Sequence, residues 1–124
     1  LIFAQNTLDI IKKTPLIGVG TGDFPTEYDK VNLVNSPAVK STVQPHNMYL
    51  YIQAQLGLLG LVSFFWIFYV QFRIAIASEN LFVHNVGVAL PFLFLIIMLS
   101  DSYLLGHFTS NLFILFSSFL YCNR

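Results

Sequence analysis

The longest apolar run of the chain extends from Leu56 to Phe72 and contains only two polar side chains, Ser63 and Gln71. Counted back to Asn47, the segment is long enough for a helix that crosses a bilayer, which needs about 20 residues. Of the 124 residues, 56% are hydrophobic and 10% are charged, whereas soluble domains carry about 25% charged residues. The run and the composition together predict a membrane protein.

Two further apolar segments follow the first. One covers residues 81–100 and contains Pro91, which membrane helices tolerate as a kink. The other covers residues 108–122, after a polar turn. The predicted fold class is an all-α membrane protein, in which an amphipathic helix and a long extramembrane loop precede about three transmembrane helices. His84 lies one turn inside the second span, where polar side chains are costly, so we predict that it forms an interhelical hydrogen bond.

The N-terminal part of the chain is predicted to lie outside the hydrocarbon. Residues 2–13 have the pattern of an amphipathic helix, with Lys12 and Lys13 at the end where the helix dipole favours cations. Pro15 ends this helix, because the residue before a proline is pushed out of the helical region. Residues 14–45 are too polar for hydrocarbon, and we predict that they form one functional loop.

Glycine occupies every second position in part of this loop. Gly18, Gly20 and Gly22 let the backbone turn, and successive exposed N–H groups of this kind can hold phosphate oxygens. The pattern is not a dinucleotide fingerprint, since no strand, helix and distal acid complete that unit. A tight turn without a ligand remains the alternative.

The chain thus divides into two regions, and its overall net charge is zero. Residues 1–46 are the loop region with its glycine-rich turn, and residues 47–124 are the three-span region. Six Lys and Arg balance six Asp and Glu, so no basic surface predicts nucleic-acid binding. The three histidines are far apart in sequence, and the single Cys122 offers no paired metal ligands. We therefore expect no nucleic-acid partner, no metal and no cofactor.

The polar ends of the predicted spans indicate an orientation. Three spans put His46, Asp101 and His107 on one side of the membrane, and Arg73 and Arg124 on the other. Positive residues near span ends favour the cytoplasm, whereas long loops translocate largely regardless of their charge. The two arginines are therefore predicted to face the cytoplasm. Asp101 and His107 could join His46 in a site, or form a plain interfacial turn.

Two motifs, in this order before a span, resemble the C-terminal signature region of the O-antigen ligase and polymerase superfamily. The resemblance covers about residues 1–72, and the later spans match the last helices of the family only in hydropathy. The residues that carry it are Asn6 to Lys13, Pro15-Leu16-Ile17-Gly18-Val19-Gly20-Thr21-Gly22-Asp23-Phe24, Tyr28, His46-Asn47-Met48-Tyr49-Leu50 and Leu56-Gly57-Leu58-Leu59-Gly60.

The resemblance implies a multi-pass glycosyltransferase of the bacterial inner membrane, with loop 14–45 in the periplasm. Such an enzyme transfers a glycan from undecaprenyl-pyrophosphate to an acceptor, which is lipid A core in the ligases. The alternative acceptors are a growing repeat-unit chain, for a polymerase, and a protein side chain, for an oligosaccharyltransferase. Membrane lipids are further expected partners.

This chemistry needs a base for the acceptor hydroxyl and cations or N–H donors for the leaving diphosphate. His46 is the predicted catalytic base, and Asn47 is predicted to orient the imidazole or a sugar hydroxyl. Phosphate binding is predicted for the three loop glycines and for lysines, principally Lys12 and Lys13, with Lys30 or Lys40 as further possibilities. Helix capping for the His-Asn pair and a solvated surface for the lysines are the structural alternatives.

One departure from the family pattern concerns a basic residue. An arginine that precedes the amphipathic stretch in the family is thought to hold the pyrophosphate, and this chain has no arginine before Arg73. We therefore expect a C-terminal fragment whose activity needs the full-length form. A non-enzymatic transport or assembly module is the alternative from another class, but a transporter is expected to place paired charges near the bilayer centre, and the predicted spans have none.

Overall fold

A computed structural model describes residues 2–122 and is all-helical over that range. It therefore confirms the all-α class. A short 3-10 helix, Tyr103–Leu105, precedes the last α-helix. The α-helices are α1 (Ile2–Lys13), α2 (Phe24–Asn35), α3 (Met48–Ile76), α4 (Leu81–Ile97) and α5 (His107–Tyr121).

Helix α2 corrects the prediction that residues 14–45 form one loop. Phe24, Tyr28 and Val31 are buried at the spacing of one helix face. Pro25 lies in the first turn, where the missing N–H of proline costs nothing. Of its polar residues, Asp29 and Lys30 are exposed on the outer face, whereas Asn32 is buried.

Helices α1 and α2 pack against the first part of α3 and form a small apolar core. Ile10 of α1 and Phe24 and Tyr28 of α2 are almost fully buried there, together with Ala54 of α3. The buried Asn6 side chain also joins the two helices, because its Nδ2 donates to Tyr28 Oη at 3.2 Å and to Asn32 Oδ1 at 3.1 Å. Since an unpaired buried amide is costly, these bonds fix how α1 lies on α2.

Helix α3 is broken at Gly57, where φ is 65° and ψ is −164°. Such a break leaves carbonyl groups before it and N–H groups after it without helical partners. The part after the break, residues 58–76, has a rise of about 28 Å, which is close to the thickness of the hydrocarbon core of a bilayer. The break therefore separates an outer segment of α3 from one of membrane-spanning length.

Helices α3, α4 and α5 form a second core around aromatic and methionine side chains. Phe68, Phe94 and Met98 are buried in it, and the Phe94 and Phe113 rings lie 4.7 Å apart between centroids. Gln71 on α3 donates from Nε2 to a serine hydroxyl of α5 at 3.1 Å. These contacts make the three helices one bundle.

By length and apolar composition, α3 is the one helix among residues 2–122 that could cross a membrane. Helix α4 is apolar but has 17 residues, and α5 has 15. Both lie where spans were predicted, although they are shorter than a full span. Within residues 2–122 the His84 side chain has no hydrogen-bond partner, so its interhelical bond stays a prediction. Arg124, used in the predicted orientation, lies outside the described residues.

Candidate functional site

His46 lies in an unusual backbone conformation immediately before α3. Its φ of 54° is the one positive φ of a non-glycine residue among residues 2–122. This left-handed conformation costs an L-residue roughly 1–2 kcal/mol, so the surrounding contacts must hold it. Strained residues of this kind concentrate at functional sites.

Asn47 holds this turn from both sides. Its Oδ1 accepts from the Leu50 N–H at 3.0 Å, which caps the N-terminus of α3. Its Nδ2 donates to the Leu99 carbonyl at 2.9 Å, and the Met48 N–H donates to the Met98 carbonyl at 3.0 Å. The start of α3 is thereby fixed to the end of α4.

The same connection brings an acidic residue to the imidazole. His46 Nδ1 donates to Asp101 Oδ1 at 3.2 Å, although the two residues are 55 positions apart in the chain. The same carboxylate oxygen accepts from the Ser102 N–H at 2.7 Å. On its other side, the imidazole lies 5.7 Å from the Phe3 ring of α1, measured between centroids.

This geometry decides which imidazole nitrogen is available for chemistry. A carboxylate can only accept, so in the neutral ring Nδ1 carries the hydrogen and Nε2 holds the lone pair. Nε2 has no hydrogen bond within residues 2–122, and the side chain is 49% exposed. The site therefore presents a base that an outside hydroxyl can reach.

Asp101 is the site residue to which sequence reasoning gave too little weight. The predicted orientation puts it on the same side as His46, but leaves a plain interfacial turn as the alternative. The structure brings the two side chains together. His107 begins α5 close by in the chain, but it has no contact with the His46 ring among the described contacts.

The predicted lysine ligands lie far from the imidazole. Lys12 and Lys13 are exposed at the C-terminal end of α1, whereas Phe3, which contacts His46, is in its first turn. The rise of α1 between Phe3 and Lys12 is about 14 Å. Lys12 Nζ also binds Asp9 Oδ1 at 2.8 Å and lowers the pKa of that carboxyl. The structure therefore groups His46 with Asn47 and leaves the lysines apart.

The loop glycines lie against the break in α3. Val19 and Gly20 donate from their N–H groups to the Ala54 and Gln55 carbonyls at 2.9 and 3.0 Å. The Gly22 N–H donates to Gln55 Oε1 at 2.7 Å. Phosphate binding by these amides stays a prediction, and it would have to replace bonds that are formed here.

Hydrogen bonds also run in the opposite direction, from α3 to the loop. The Leu58 and Leu59 N–H groups donate to the Pro15 and Leu16 carbonyls at 2.9 and 3.4 Å. The loop thus replaces the helical partners that the break at Gly57 removes. Gly57 therefore packs against the backbone of this loop, at Leu16 and Ile17.

A family model described as O-antigen ligase matches residues 1–65, just over half of the 124 residues. The chain belongs to the O-antigen ligase family. This match includes both motifs of the predicted resemblance, the glycine loop and the His46-Asn47 pair. Neither a curated protein nor a solved structure matches the chain.

Membership in the O-antigen ligase family makes this a membrane protein related to lipopolysaccharide. Asp101 lies beyond the matched residues, so the structure alone connects it with the family region. The contact thus ties the matched part of this ligase-family chain to the connection between α4 and α5.

Proposed function

We propose that this O-antigen ligase family protein transfers a glycan from undecaprenyl-pyrophosphate to an acceptor hydroxyl, with lipid A core as the first candidate acceptor. The observation that supports this most directly is the His46 imidazole, which is held by Asp101 through Nδ1 and whose Nε2 has no bond to any described residue of 2–122. Family membership supports the reaction class.

The reaction consists of one displacement at the anomeric carbon of the donor. The acceptor oxygen forms a bond to that carbon as its proton passes to His46 Nε2. The bond from the anomeric carbon to the diphosphate oxygen breaks, and its electron pair leaves with undecaprenyl-pyrophosphate. A positioned base typically contributes 10²- to 10⁴-fold to such a reaction.

Asp101 and Asn47 act through the imidazole in this proposal. The carboxylate selects the neutral ring with hydrogen on Nδ1, and it stabilises the imidazolium that forms when Nε2 takes the proton. Asn47 fixes the turn by its two side-chain bonds. Both are positioning residues, since the proton passes to His46 alone.

The leaving diphosphate needs positive charge or N–H donors. Lys12, Lys13 and the loop glycines keep their predicted role here as a proposal. A rise of about 14 Å along α1 separates Lys12 from Phe3, the residue of α1 that contacts the base. In this proposal the lysines bind the diphosphate at a distance from the base.

The proposed membrane arrangement follows from the ends of α3. His46 and Asp101 lie at its N-terminal end and Arg73 near its C-terminal end. We propose a multi-pass protein of the bacterial inner membrane in which α3, α4 and α5 span and residues 14–45 face the periplasm. Helices α4 and α5 are shorter than a full span, but they pack against α3 in one core, and this packing supports placing all three helices in the membrane.

The base role is tested by comparing His46→Ala with His84→Ala in membranes that contain the intact protein. His46→Ala is expected to reduce glycan transfer at least about 100-fold, because the proton acceptor is lost. His84 lies on α4 outside the proposed site, and its replacement is expected to leave transfer near normal.

Protein levels and membrane insertion are measured for both variants by immunoblot of carbonate-washed membranes. Near-normal transfer by His46→Ala at a normal protein level would refute the base role. An acceptor panel of lipid A core, repeat-unit glycan and acceptor peptide then separates ligase, polymerase and oligosaccharyltransferase activity.

A further inference from the structure

A pocket of about 430 Å³ lies beside the proposed catalytic pair and has no role in the chemistry above. We call it the Gln44–Tyr103 pocket. Its wall includes Asp101, whose Oδ1 is 3.2 Å from His46 Nδ1. A molecule bound in this pocket is therefore next to the base. Its lining includes Gln44, Asp101, Ser102, Tyr103 and Phe108.

Three polar side chains of the pocket have no hydrogen-bond partner within residues 2–122. They are the Gln44 amide, the Tyr103 hydroxyl and the Ser102 hydroxyl. Ser102 is 4% exposed, and its Oγ is a buried oxygen without a partner. The Gln44 and Tyr103 groups are accessible and can bond a molecule that enters the pocket, whereas the Ser102 Oγ is enclosed behind its wall.

The apolar part of the wall is aromatic. Tyr103, in the connection between α4 and α5, is 38% exposed, and Phe108, in the first turn of α5, is 79% exposed. Exposed aromatic rings together with a few hydroxyl and amide groups are typical of small-molecule sites that hold a ligand of mixed polarity. A pyranose ring has this character, with C–H groups on its faces and hydroxyl groups around its edge.

The charge of the pocket distinguishes between the two substrates. Its described lining carries the Asp101 carboxylate and neither lysine nor arginine. A carboxylate repels the diphosphate of the donor, whereas a neutral sugar hydroxyl can donate to it. The pocket therefore fits an uncharged sugar of the acceptor.

We infer that the Gln44–Tyr103 pocket binds a neutral pyranose unit of the acceptor glycan and presents its hydroxyl to His46. This inference rests on the proposed transfer reaction for its biological role, but the binding itself can be measured without turnover. The Gln44 amide and the Tyr103 hydroxyl bind hydroxyl groups of the sugar, and the Tyr103 and Phe108 rings contact its apolar face.

Saturation-transfer NMR on the intact protein tests the inference, in micelles of a detergent without a sugar headgroup. The probes are methyl glucoside and N-acetylglucosamine, with glucose 1-phosphate as the anionic probe. We expect the neutral sugars to bind and the phosphate to bind more weakly. Gln44→Ala and Tyr103→Phe each remove one hydrogen bond and are expected to weaken neutral-sugar binding roughly three- to tenfold.

The control is Phe119→Ala, which removes an exposed ring of α5 outside the pocket and is expected to bind the sugars normally. Tyr103→Phe keeps the ring, so a purely interfacial role of this residue predicts no change. Equal binding by all variants, no binding by the native protein, or preference for the phosphate would each overturn the inference.

The His46→Ala variant separates this inference from the proposed reaction. It is expected to lose transfer and to keep sugar binding. If His46→Ala loses transfer but the native protein binds no neutral sugar, the sugar-binding role of the pocket is rejected and the base role of His46 stands. If sugar binding depends on Gln44 and Tyr103 but His46→Ala still transfers glycan, the base role of His46 is rejected and the sugar-binding role of the pocket stands.

Discussion

The crossing of the glycine loop over the break in α3 should tolerate no side chain at two positions. A Cβ on Gly57 would lie 2.2 Å from the carbonyl carbon and oxygen of Leu16, and a Cβ on Gly18 would lie 2.3 Å from those of Gln55. Both neighbours are backbone atoms that cannot rotate away. Replacement of either glycine by alanine must therefore push the two segments apart.

The expected loss of stability has two parts. Both glycines have positive φ, of 65° and 70°, which costs an L-residue roughly 1–2 kcal/mol. The forced displacement adds about 1–3 kcal/mol, as in other overpacked sites. Gly57→Ala and Gly18→Ala are therefore each expected to lower the free energy of unfolding by roughly 2–5 kcal/mol.

Gly22→Ala is the matched control for the conformational part. Gly22 has a φ of 91°, and a Cβ there would meet no atom within 4 Å. Its replacement is expected to cost only the conformational share of roughly 1–2 kcal/mol. The difference between the variants therefore isolates the backbone contact.

The unfolding of each variant is followed by circular dichroism in mixed micelles, as the fraction of denaturing detergent rises. Hydrogen exchange at the Val19 and Leu58 N–H groups reports the crossing itself, because both donate across it. We expect fast exchange in Gly57→Ala and slow exchange in Gly22→Ala. If Gly57→Ala is as stable as Gly22→Ala and both amides exchange slowly in it, the close contact between the glycine loop and the break in α3 is refuted.

Three further predictions concern the cap, a surface carboxyl and the orientation. Asn47→Ala removes the cap of α3 and the bond from Asn47 to the Leu99 carbonyl at the end of α4. It is expected to lower the free energy of unfolding, measured thermally in micelles, by about 1–2 kcal/mol. An unchanged unfolding transition would contradict the role of Asn47 in joining α3 to α4. Because Lys12 lowers the pKa of Asp9 in the folded state, the stability from this pair is complete above the ordinary value of 3.8 and is lost as pH falls through the lower folded value. NMR titration of Lys12→Ala should therefore move the pKa of Asp9 upward, and an unmoved titration would exclude Lys12 as the cause. A cysteine at Ser41 should react with an impermeant thiol reagent added from the periplasm and one at Ser78 should not, and the reverse labelling would invert the orientation.

Local patterns predicted the helices where the periodicity of side chains was strong. The helix expected over residues 2–13 is α1, and the segment from Asn47 became α3. The stretch that contains α2 is predicted as loop because residues 14–45 are too polar for hydrocarbon. The spacing of Phe24, Tyr28 and Val31 was the signal that could have revealed this helix.

The candidate site was predictable only in part. His46 and Asn47 stood out because they precede an apolar helix, and the structure keeps them together. The lysines and loop glycines were grouped with them by motif order, but α1 separates the lysines from the imidazole. Motif order along the chain carries no information on the distance between side chains.

The sequence by itself determined the membrane character, the helical class, the family resemblance and the position of His46 before α3. These properties depend on composition and on neighbours within a few turns. The tertiary structure alone decided the break at Gly57 and the contact between His46 and Asp101, which are 55 positions apart. Both depend on backbone groups and side chains from distant segments, which find their hydrogen-bond partners only when the helices pack.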